Sequence, residues 1–378
     1  MGARVAITRE RRHGETRVAA TPDTVKKLVG LGLEVVIETR AGLGAAIADA
    51  DYSAAGAEIA PTVQAALEAA DIVLKVGAPH QEEVAALKRG AVLVGLLDPY
   101  SERPLLETLA AAGVSAFAME FVPRITRAQV MDALSSQANL AGYRAVIEAA
   151  AVYGRAFPMM MTAAGTVAPA KVFVMGAGVA GLQAIATARR LGAVVTATDV
   201  RPAVKEQVES LGAKFVAVED DEFKAAETAA GYAKEMSPEY QAKQAALVAD
   251  HIKKQDIVIT TALIPGRPAP KLVSAEQRAS MKQGSVLVDL AVERGGNVVG
   301  AKPDQVADIG GVKIIGYTNL PARIPADASN LYARNLAAFV GLLVDDKGAL
   351  APDLEDEILK ASMLTHQGAI VHPALQGA

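Results

Sequence analysis

The sequence predicts an α/β protein of two domains, each built on a doubly wound parallel sheet. Three observations support this class. The chain has 378 residues, enough for two domains at roughly 150 residues per domain. Short apolar runs alternate with helical segments along its length, as in βα units around parallel sheets. A glycine-rich segment at 176–181 stands between one such apolar run and a helix.

The first domain has the pattern of five strands separated by helices. Thr21 and Pro22 mark the first helix start, because threonine is a preferred N-cap and proline suits the first turn. A helix predicted at 327–344 returns the chain to this domain, which we assign to 1–126 plus 327–378. The predicted strands are 4–8, 34–38, 71–76, 91–97 and 115–119.

The second domain is assigned to 127–326, including the helix that leads into it. This helix is predicted at 127–155, where Leu134, Leu140 and Ile147 recur at helical spacing. Six apolar runs follow and predict a six-stranded sheet. They lie at 171–175, 194–198, 214–218, 257–262, 285–290 and 312–317.

Composition excludes several classes of function. A net charge of -4 gives no electrostatic reason to expect nucleic acid binding. The absence of cysteine rules out disulfides and cysteine-based zinc or redox sites. Neither a signal-peptide pattern nor an uncharged apolar run of about 20 residues is present, so we expect a cytoplasmic protein. Because His251, His366 and His372 lack a convincing set of co-ligands, we expect no metal.

The glycine segment has the spacing of a dinucleotide-binding turn. Gly176 permits a tight turn, Gly178 lets the backbone approach a pyrophosphate, and Gly181 lets helix and strand pack closely. The helix that follows offers its first N–H groups to phosphate. We therefore predict Rossmann-like domains with a nucleotide cleft between them. The alternative is a structural glycine turn in a nucleotide-free α/β protein.

Asp199 ends the next predicted strand and indicates which nucleotide binds. A carboxylate there accepts hydrogen bonds from the adenosine ribose and repels a 2′-phosphate, which favours NAD(H) over NADP(H). Arg201 is the opposing signal, because an arginine nearby can serve a 2′-phosphate. We give the aspartate more weight, since it holds the usual position at the strand end.

A polar segment at the domain junction, 123–137, is a candidate for the nicotinamide side of the site. It concentrates guanidinium, amide, carboxylate and hydroxyl groups, and a carboxamide needs both donors and acceptors. The alternative, which spacing alone favours, is an ordinary helix start with Thr126 as N-cap and Gln129 at the N3 position of a capping box.

The sequence resembles a known family, the domain I component of proton-translocating nicotinamide nucleotide transhydrogenase. The segment PRITRAQVMDALSSQANLAGYR at 123–144 looks like that family's RQD loop. Further blocks match in the same order along nearly the whole chain. They are ERRHGETRVAA, FPMMMTAAGT, the glycine turn, GYAKEM, TTALIPGRPAP and IVHPA.

The resemblance implies a set of site residues. Arg124, Gln129, Asp132 and Ser135 would contact the nicotinamide and its ribose as the catalytic group. The implied cofactor-binding set also includes Ile125, Thr126, Val130, Met131, Ala177, Val179, Val200, Gly231, Gln244 and Leu263, together with the glycine turn, Asp199 and Arg201. Tyr232 would lie in a mobile loop that closes over the nucleotide. The alternative interpretation is an ordinary tyrosine in an exposed polar loop.

The resemblance also implies an activity and partners. The reaction would be reversible, Re/Si-specific hydride transfer between NAD(H) on this chain and NADP(H) on a partner subunit, coupled to proton translocation. The partners would be an NADP(H)-binding subunit and a membrane proton-channel subunit at the inner face of the cell membrane. A homodimer is implied in the same way.

Two other functions compete with this one. Alanine dehydrogenase is favoured by Arg17 and Lys75, which match its substrate-carboxylate residues. Its catalytic histidine, however, should fall near Leu96 and Leu97, where the sequence has no histidine. Glu293 also stands where that family usually has an aspartate, and we give Asp98 little weight as a substitute base. Hydride transfer between two nicotinamides needs no general base, because positioning carries the demand. A non-catalytic NAD(H) sensor is the third candidate. The intact nicotinamide-side segment argues against it, because a sensor could read the adenosine half alone.

Overall fold

The computed structural model describes residues 2–224 and 236–376, and within it the chain forms two compact units. The first unit is Met1–Gln137 with Pro321–Ala378, and the second is Ala138–Leu320. The chain passes from one unit to the other after Gln137 and after Leu320, whereas the sequence predicted these boundaries after 126 and 326. Residues 127–137 stay with the first unit because its C-terminal segment holds them; for example, the Asn335 side chain donates to the Val130 carbonyl at 2.8 Å.

The strands and helices are given in chain order. Those before the junction are β1 (Arg4–Ile7), α1 (Pro22–Gly30), β2 (Glu34–Glu38), α2 (Asp49–Ala54), β3 (Glu58–Ala60), α3 (Val63–Leu67), β4 (Ile72–Leu74), α4 (Gln81–Ala86), β5 (Val92–Gly95), α5 (Arg103–Ala111) and β6 (Ser115–Ala118). The junction helix is α6 (Ala133–Val152).

The elements that follow α6 form the second unit. They are β7 (Met160–Thr162), β8 (Gly165–Val167), β9 (Lys171–Met175), α7 (Val179–Arg190), β10 (Val194–Thr198), α8 (Val204–Ser210), β11 (Lys214–Phe215), α9 (Asp221–Lys224), α10 (Pro238–Ile252), β12 (Ile257–Thr260), α11 (Ala275–Ala279), β13 (Val286–Asp289), β14 (Val306–Ile309) and β15 (Val312–Ile315). The chain then returns to the first unit through α12 (Pro325–Val340), α13 (Glu357–Ser362), β16 (Met363–His366) and β17 (Ala369–Ile370).

The first unit contains an eight-stranded sheet in the order β17-β16-β6-β5-β4-β1-β2-β3. The five predicted strands are present, and the predicted helix start at Thr21 and Pro22 is confirmed. The prediction missed β3 and the C-terminal pair β16 and β17, of which β16 runs antiparallel to β6. These strands are two to four residues long at one edge or the other, too short to show an apolar period.

The second unit contains a seven-stranded sheet in the order β11-β10-β9-β12-β13-β15-β14. All six predicted strands are present and parallel, but the six-stranded prediction was one strand short. The added strand, β14, pairs antiparallel with β15 at the edge, and none of its residues is fully buried. Without a buried face it carries little of the apolar signal that reveals a strand.

Apolar side chains fill both faces of each sheet. In the first unit α12 buries Leu336 and Phe339 against one face, and the Phe339 ring meets Phe117 of β6 edge to face at 5.7 Å between centroids. In the second unit α7 buries Ala184 and Ile185 against β9 and its neighbours. Within the described ranges we find no helix with the length and apolar character needed to cross a membrane.

Candidate functional site

The glycine turn directly follows β9 and is built as the sequence predicts. Gly176 has φ of 104°, in the region that glycine adopts without strain. A Cβ on Gly176 would collide with the Thr261 hydroxyl, which donates to the Gly176 carbonyl at 3.1 Å. Thr261 follows β12, so the turn is secured by the neighbouring strand, a contact that the sequence analysis did not identify.

Helix α7 starts immediately after the turn, with Gly178 as its N-cap. Among the described residues, no atom beyond the chain neighbours lies within 4 Å of the point where a Gly178 Cβ would stand, so that side of the turn is open to them. A Cβ on Gly181 would collide with the Gly176 carbonyl, and one on Gly142 of α6 would collide with the Ala180 carbonyl. The first turn of α7 is therefore tightly packed from behind and open at its N-terminus, the arrangement that suits a phosphate.

The position of this turn in the sheet is also typical of a nucleotide site. Strands β9 and β12 are neighbours, yet β10 continues the sheet to one side of β9 and β13 continues it beyond β12. The order of the strands therefore reverses between β9 and β12. In doubly wound sheets, ligands bind outside the carboxyl ends of the strands at such a switch point.

Asp199, just after β10, is tied to the glycine turn. Its Oδ2 accepts from the Ala177 amide at 2.7 Å, and its side chain is only 6% exposed. The Arg201 guanidinium also donates to both carboxylate oxygens at 3.0 Å. The two residues that gave opposite signals about the 2′-position thus form one ion pair.

A cavity of about 1100 Å³ lies beside the turn in the second unit. Among the predicted site residues, its lining includes Gly176, Gly178, Asp199, Val200, Arg201, Gln244 and Leu263. Val200 and Leu263 are 60% and 53% exposed, so apolar surface faces this space. The lining also contains Met236, Tyr240 and Lys271, which the sequence analysis missed because no local motif marks them.

Gln244 supports the walls of this cavity. Its Oε1 accepts from the Val218 amide at 2.9 Å, and its Nε2 donates to the Thr198 hydroxyl at 3.1 Å. The amide oxygen therefore holds α10 against the segment after β11, and the amide nitrogen holds it against the end of β10. Two further predicted residues, Gly231 and Tyr232, lie outside the described residues.

The junction loop, residues 124–132, belongs to the first unit. It contains a short 3-10 helix, Thr126–Met131, preceded by Ile125 without a side-chain cap. The capping box that the alternative interpretation placed on Thr126 is therefore absent. The capping group is Asp132, which accepts from the Ser135 amide at 2.8 Å and from the Ser135 hydroxyl at 2.6 Å at the start of α6.

Two predicted residues of the junction loop have exposed side chains without a polar partner in the described part of the chain. The side chains of Arg124 and Gln129 are exposed and form no hydrogen bond or ion pair with any described residue. Val130 beside them is 64% exposed. Arg127, in contrast, pairs with Asp356 at 2.7 Å and with Glu357 at 3.2 Å. The loop thus presents one guanidinium and one amide that are available to a ligand.

The two cations that favour alanine dehydrogenase already have carboxylate partners. Lys75 is buried, and its Nζ lies 2.9 Å from a Glu83 oxygen and 3.4 Å from a Glu10 oxygen. Burial raises the pKa of Glu10, against the opposing effect of Lys75. Arg17 donates to both oxygens of Glu15, at 2.8 and 2.7 Å. A substrate carboxylate would have to compete with these internal partners.

The position expected for the dehydrogenase's histidine is occupied by Leu96 and Leu97, just after β5. Two carboxyl groups follow the ends of these strands, Asp98 after β5 and Glu120 after β6. The Asp98 amide donates to Glu120 Oε1 at 2.7 Å, while Glu120 Oε2 is buried with no partner in the described part of the chain. Burial raises the pKa of Glu120 to about 7, although the Asp98 amide opposes the rise.

No metal centre emerges from the described residues. Nowhere in 2–224 or 236–376 do three or more histidine, aspartate or glutamate side chains converge in a way that could hold an ion. His251 contacts the Thr196 hydroxyl at 2.9 Å, and His372 stacks on Phe121 at 4.2 Å between ring centroids. These histidines have packing roles.

Comparison with known proteins agrees with this architecture. Residues 6–141 match the N-terminal domain of the alanine dehydrogenase/PNT family, and residues 145–373 match its C-terminal domain. The chain is 57% identical to an NAD(P) transhydrogenase subunit alpha chain of Rhodospirillum rubrum, covering 99% of each chain. It is 31% identical to the alanine dehydrogenase of Mycolicibacterium smegmatis, covering 98% of this chain and 95% of that one.

A solved structure leads to the same conclusion. The transhydrogenase of Sinorhizobium meliloti superposes with a TM-score of 0.90 at 58% identity, covering 97% of this chain and all of that one. The resemblance to transhydrogenase in the sequence is thereby confirmed, and the dehydrogenase branch is the more distant one. The chain belongs to the alanine dehydrogenase/PNT family.

Proposed function

We propose that this chain is the NAD(H)-binding subunit of a proton-translocating transhydrogenase. The observation that carries the proposal is the glycine turn at the switch point between β9 and β12, with an open helix N-terminus and Asp199 beside it. The high identity to transhydrogenase alpha subunits supports it. NAD(H), when bound, supplies or accepts the hydride.

The residues of this chain would bind and orient the nucleotide. The N–H groups at the start of α7 meet the pyrophosphate, and Asp199 with Arg201 meets the adenosine ribose. Val200 and Leu263 offer apolar surface to the adenine. Arg124, Gln129 and Asp132 of the junction loop serve the nicotinamide end, where no proton has to move and orientation is the main demand.

The partners follow from the role of the homologues. Hydride would pass to or from NADP(H) on a partner subunit, and a membrane proton-channel subunit would couple the reaction to proton translocation and hold the complex at the inner face of the cell membrane. We expect a homodimer and Re/Si-specific transfer. The test is to mix the purified chain with the NADP(H)-binding subunit from the same genome. Absence of hydride exchange between NADH and NADP, with both nucleotides shown to be bound, would refute the proposal.

Nucleotide preference gives a separate prediction. We expect NADH to bind much more tightly than NADPH, and Asp199→Ala to weaken NADH binding by roughly 1–2 kcal/mol, the cost of lost hydrogen bonds. Equilibrium fluorescence titration measures both quantities. Asp250→Ala, which removes an exposed carboxylate of α10 paired with Lys254, is the matched control and should leave the affinity unchanged. Equal affinities for NADH and NADPH would contradict the assignment.

Alanine dehydrogenase activity is the second function to test, because Arg17 and Lys75 are retained. We expect no turnover of alanine with NAD, since Leu96 and Leu97 cannot transfer a proton and the two cations are already paired. A spectrophotometric assay of NADH formation decides the point. Robust turnover by the purified chain alone would favour the dehydrogenase.

A further inference from the structure

The carbonyl of Val130 in the junction loop is held from beneath by a buried amide. Asn335, on α12, is 8% exposed and donates through Nδ2 to the Val130 carbonyl at 2.8 Å. Its Oδ1 accepts from the Ser136 hydroxyl at 2.8 Å. The amide orientation follows from these partners, because a carbonyl oxygen needs a donor. One side chain therefore contacts the Val130 backbone on one side of Asp132 and the Ser136 side chain on the other.

This amide is the last member of a chain of hydrogen bonds that begins at Arg17. Arg17, fixed by its two bonds to Glu15, donates to Gln137 Oε1 at 2.8 Å. Gln137 Nε2 donates to the Ser136 hydroxyl at 3.3 Å and to the Ala328 carbonyl at 3.1 Å. The Ser136 hydroxyl, which also lies 3.1 Å from the Ala133 carbonyl, then donates to Asn335 at 2.8 Å, the shorter of its two possible bonds. Each group in this series donates a hydrogen bond to the next one, and so fixes the orientation of its neighbour.

A further polar attachment of the loop is weak by comparison. Arg127 is 48% exposed, and exposed ion pairs such as those with Asp356 and Glu357 contribute little. The Asn335 side chain, in contrast, is buried, and its two bonds join α12 to the loop and to α6. The polar contacts that position the backbone at Gln129 and Val130 therefore come mainly from α12, while the buried Ala128 and Met131 side chains pack the loop into the core of the first unit.

We propose that Asn335 is a positioning residue for hydride transfer, which holds the 129–132 backbone in the geometry that orients the nicotinamide. Arg17, the residue that matches a substrate ligand in the dehydrogenases, acts here as the fixed buried start of the same chain of hydrogen bonds. This inference rests on the proposed function, because the junction loop must serve the nicotinamide for its geometry to matter to the rate.

The experiment compares Asn335→Leu with Thr365→Val. Each removes two hydrogen bonds made by a buried side chain of the first unit, since the Thr365 hydroxyl donates to the Val114 carbonyl and accepts from the Ala116 amide. Only Asn335 contacts the junction loop. Each variant is mixed with the NADP(H)-binding subunit, and single-turnover hydride transfer at saturating nucleotide is measured beside NADH affinity.

We expect Asn335→Leu to slow hydride transfer about tenfold to a hundredfold, because small misplacements of reacting groups cost that much. NADH affinity should change less than about threefold, since most of the binding energy comes from the second unit. Amide hydrogen exchange at 129–132 should become faster in this variant and not in Thr365→Val. Ser136→Ala should show the same pattern, and the double variant should be less than additive.

The opposite results are equally clear. If Arg124→Ala slows transfer but Asn335→Leu does not, the positioning role is overturned and the proposed function stands. If Asn335→Leu and Thr365→Val slow transfer equally, the effect is general destabilisation and the positioning role is overturned. If neither Arg124→Ala nor Asn335→Leu slows transfer, the junction loop does not orient the nicotinamide, and the positioning role of Asn335 is overturned with it.

Discussion

Replacing Arg124 or Gln129 with alanine is expected to slow hydride transfer about a hundredfold while NADH affinity falls only a few-fold. Both side chains are exposed and have no partner among the described residues, so their removal costs the folded chain little. Their expected contribution is to the reacting geometry, where two nicotinamides must meet at about 3–3.5 Å. Most of the binding energy should come from the glycine turn and Asp199.

The matched control is Arg127→Ala. It removes an exposed guanidinium from the same loop, but this guanidinium already forms ion pairs with Asp356 and Glu357. Its transfer rate should stay close to that of the unaltered chain. The measurement is single-turnover transfer to NADP on the partner subunit, beside a direct NADH titration. Near-normal rates for both Arg124→Ala and Gln129→Ala would show that the loop is only the start of a helix.

Asp132 and Ser135 are less clean test positions than the sequence indicated. Because the Asp132 carboxylate caps α6 through Ser135, removing it should cost about 1 kcal/mol of stability whatever its effect on hydride transfer. A slower rate in Asp132→Ala would therefore have two explanations. Arg124 and Gln129 carry no such second role.

The stability of the chain is expected to fall between about pH 5 and pH 8 because of Glu120. The pKa of its carboxyl group is raised from 4.5 to about 7 in the folded protein. The folded state therefore binds this proton more tightly than the unfolded chain, and the stabilisation is fully present below pH 4.5 and lost as the pH rises through about 7. The loss is on the order of 3 kcal/mol at about 1.36 kcal/mol per pKa unit.

Glu120→Gln tests this directly, because the amide oxygen can still accept from the Asp98 amide but never ionises. Urea unfolding at pH 5, 6, 7 and 8.5 should show the variant gaining on the unaltered chain as the pH rises. Glu107→Gln, at an exposed position of α5, is the control and should show no such trend. A difference between Glu120→Gln and the unaltered chain that is independent of pH would contradict the raised pKa.

The sequence by itself determined the features that depend on neighbours along the chain. The α/β class follows from apolar periodicity, and strands 34–38, 171–175 and 194–198 have the predicted bounds. The glycine turn follows from local sterics, since Gly176 needs a positive φ and Gly181 must leave room for a carbonyl one turn away. Edge strands such as β14 were missed because they bury no face.

Only the tertiary structure decided which polar groups pair. The sequence left Asp199 and Arg201 as opposing signals, and the fold makes them one ion pair. It placed Asp132 among the ligands of the nicotinamide, and the fold shows that its carboxylate also caps α6. Nothing local connects Asn335 with Ser136, which lie 199 positions apart in the chain. A hydrogen bond depends on the distance and direction between two atoms, and for residues so far apart these are set by the packing of whole helices and strands, which no spacing in the sequence records.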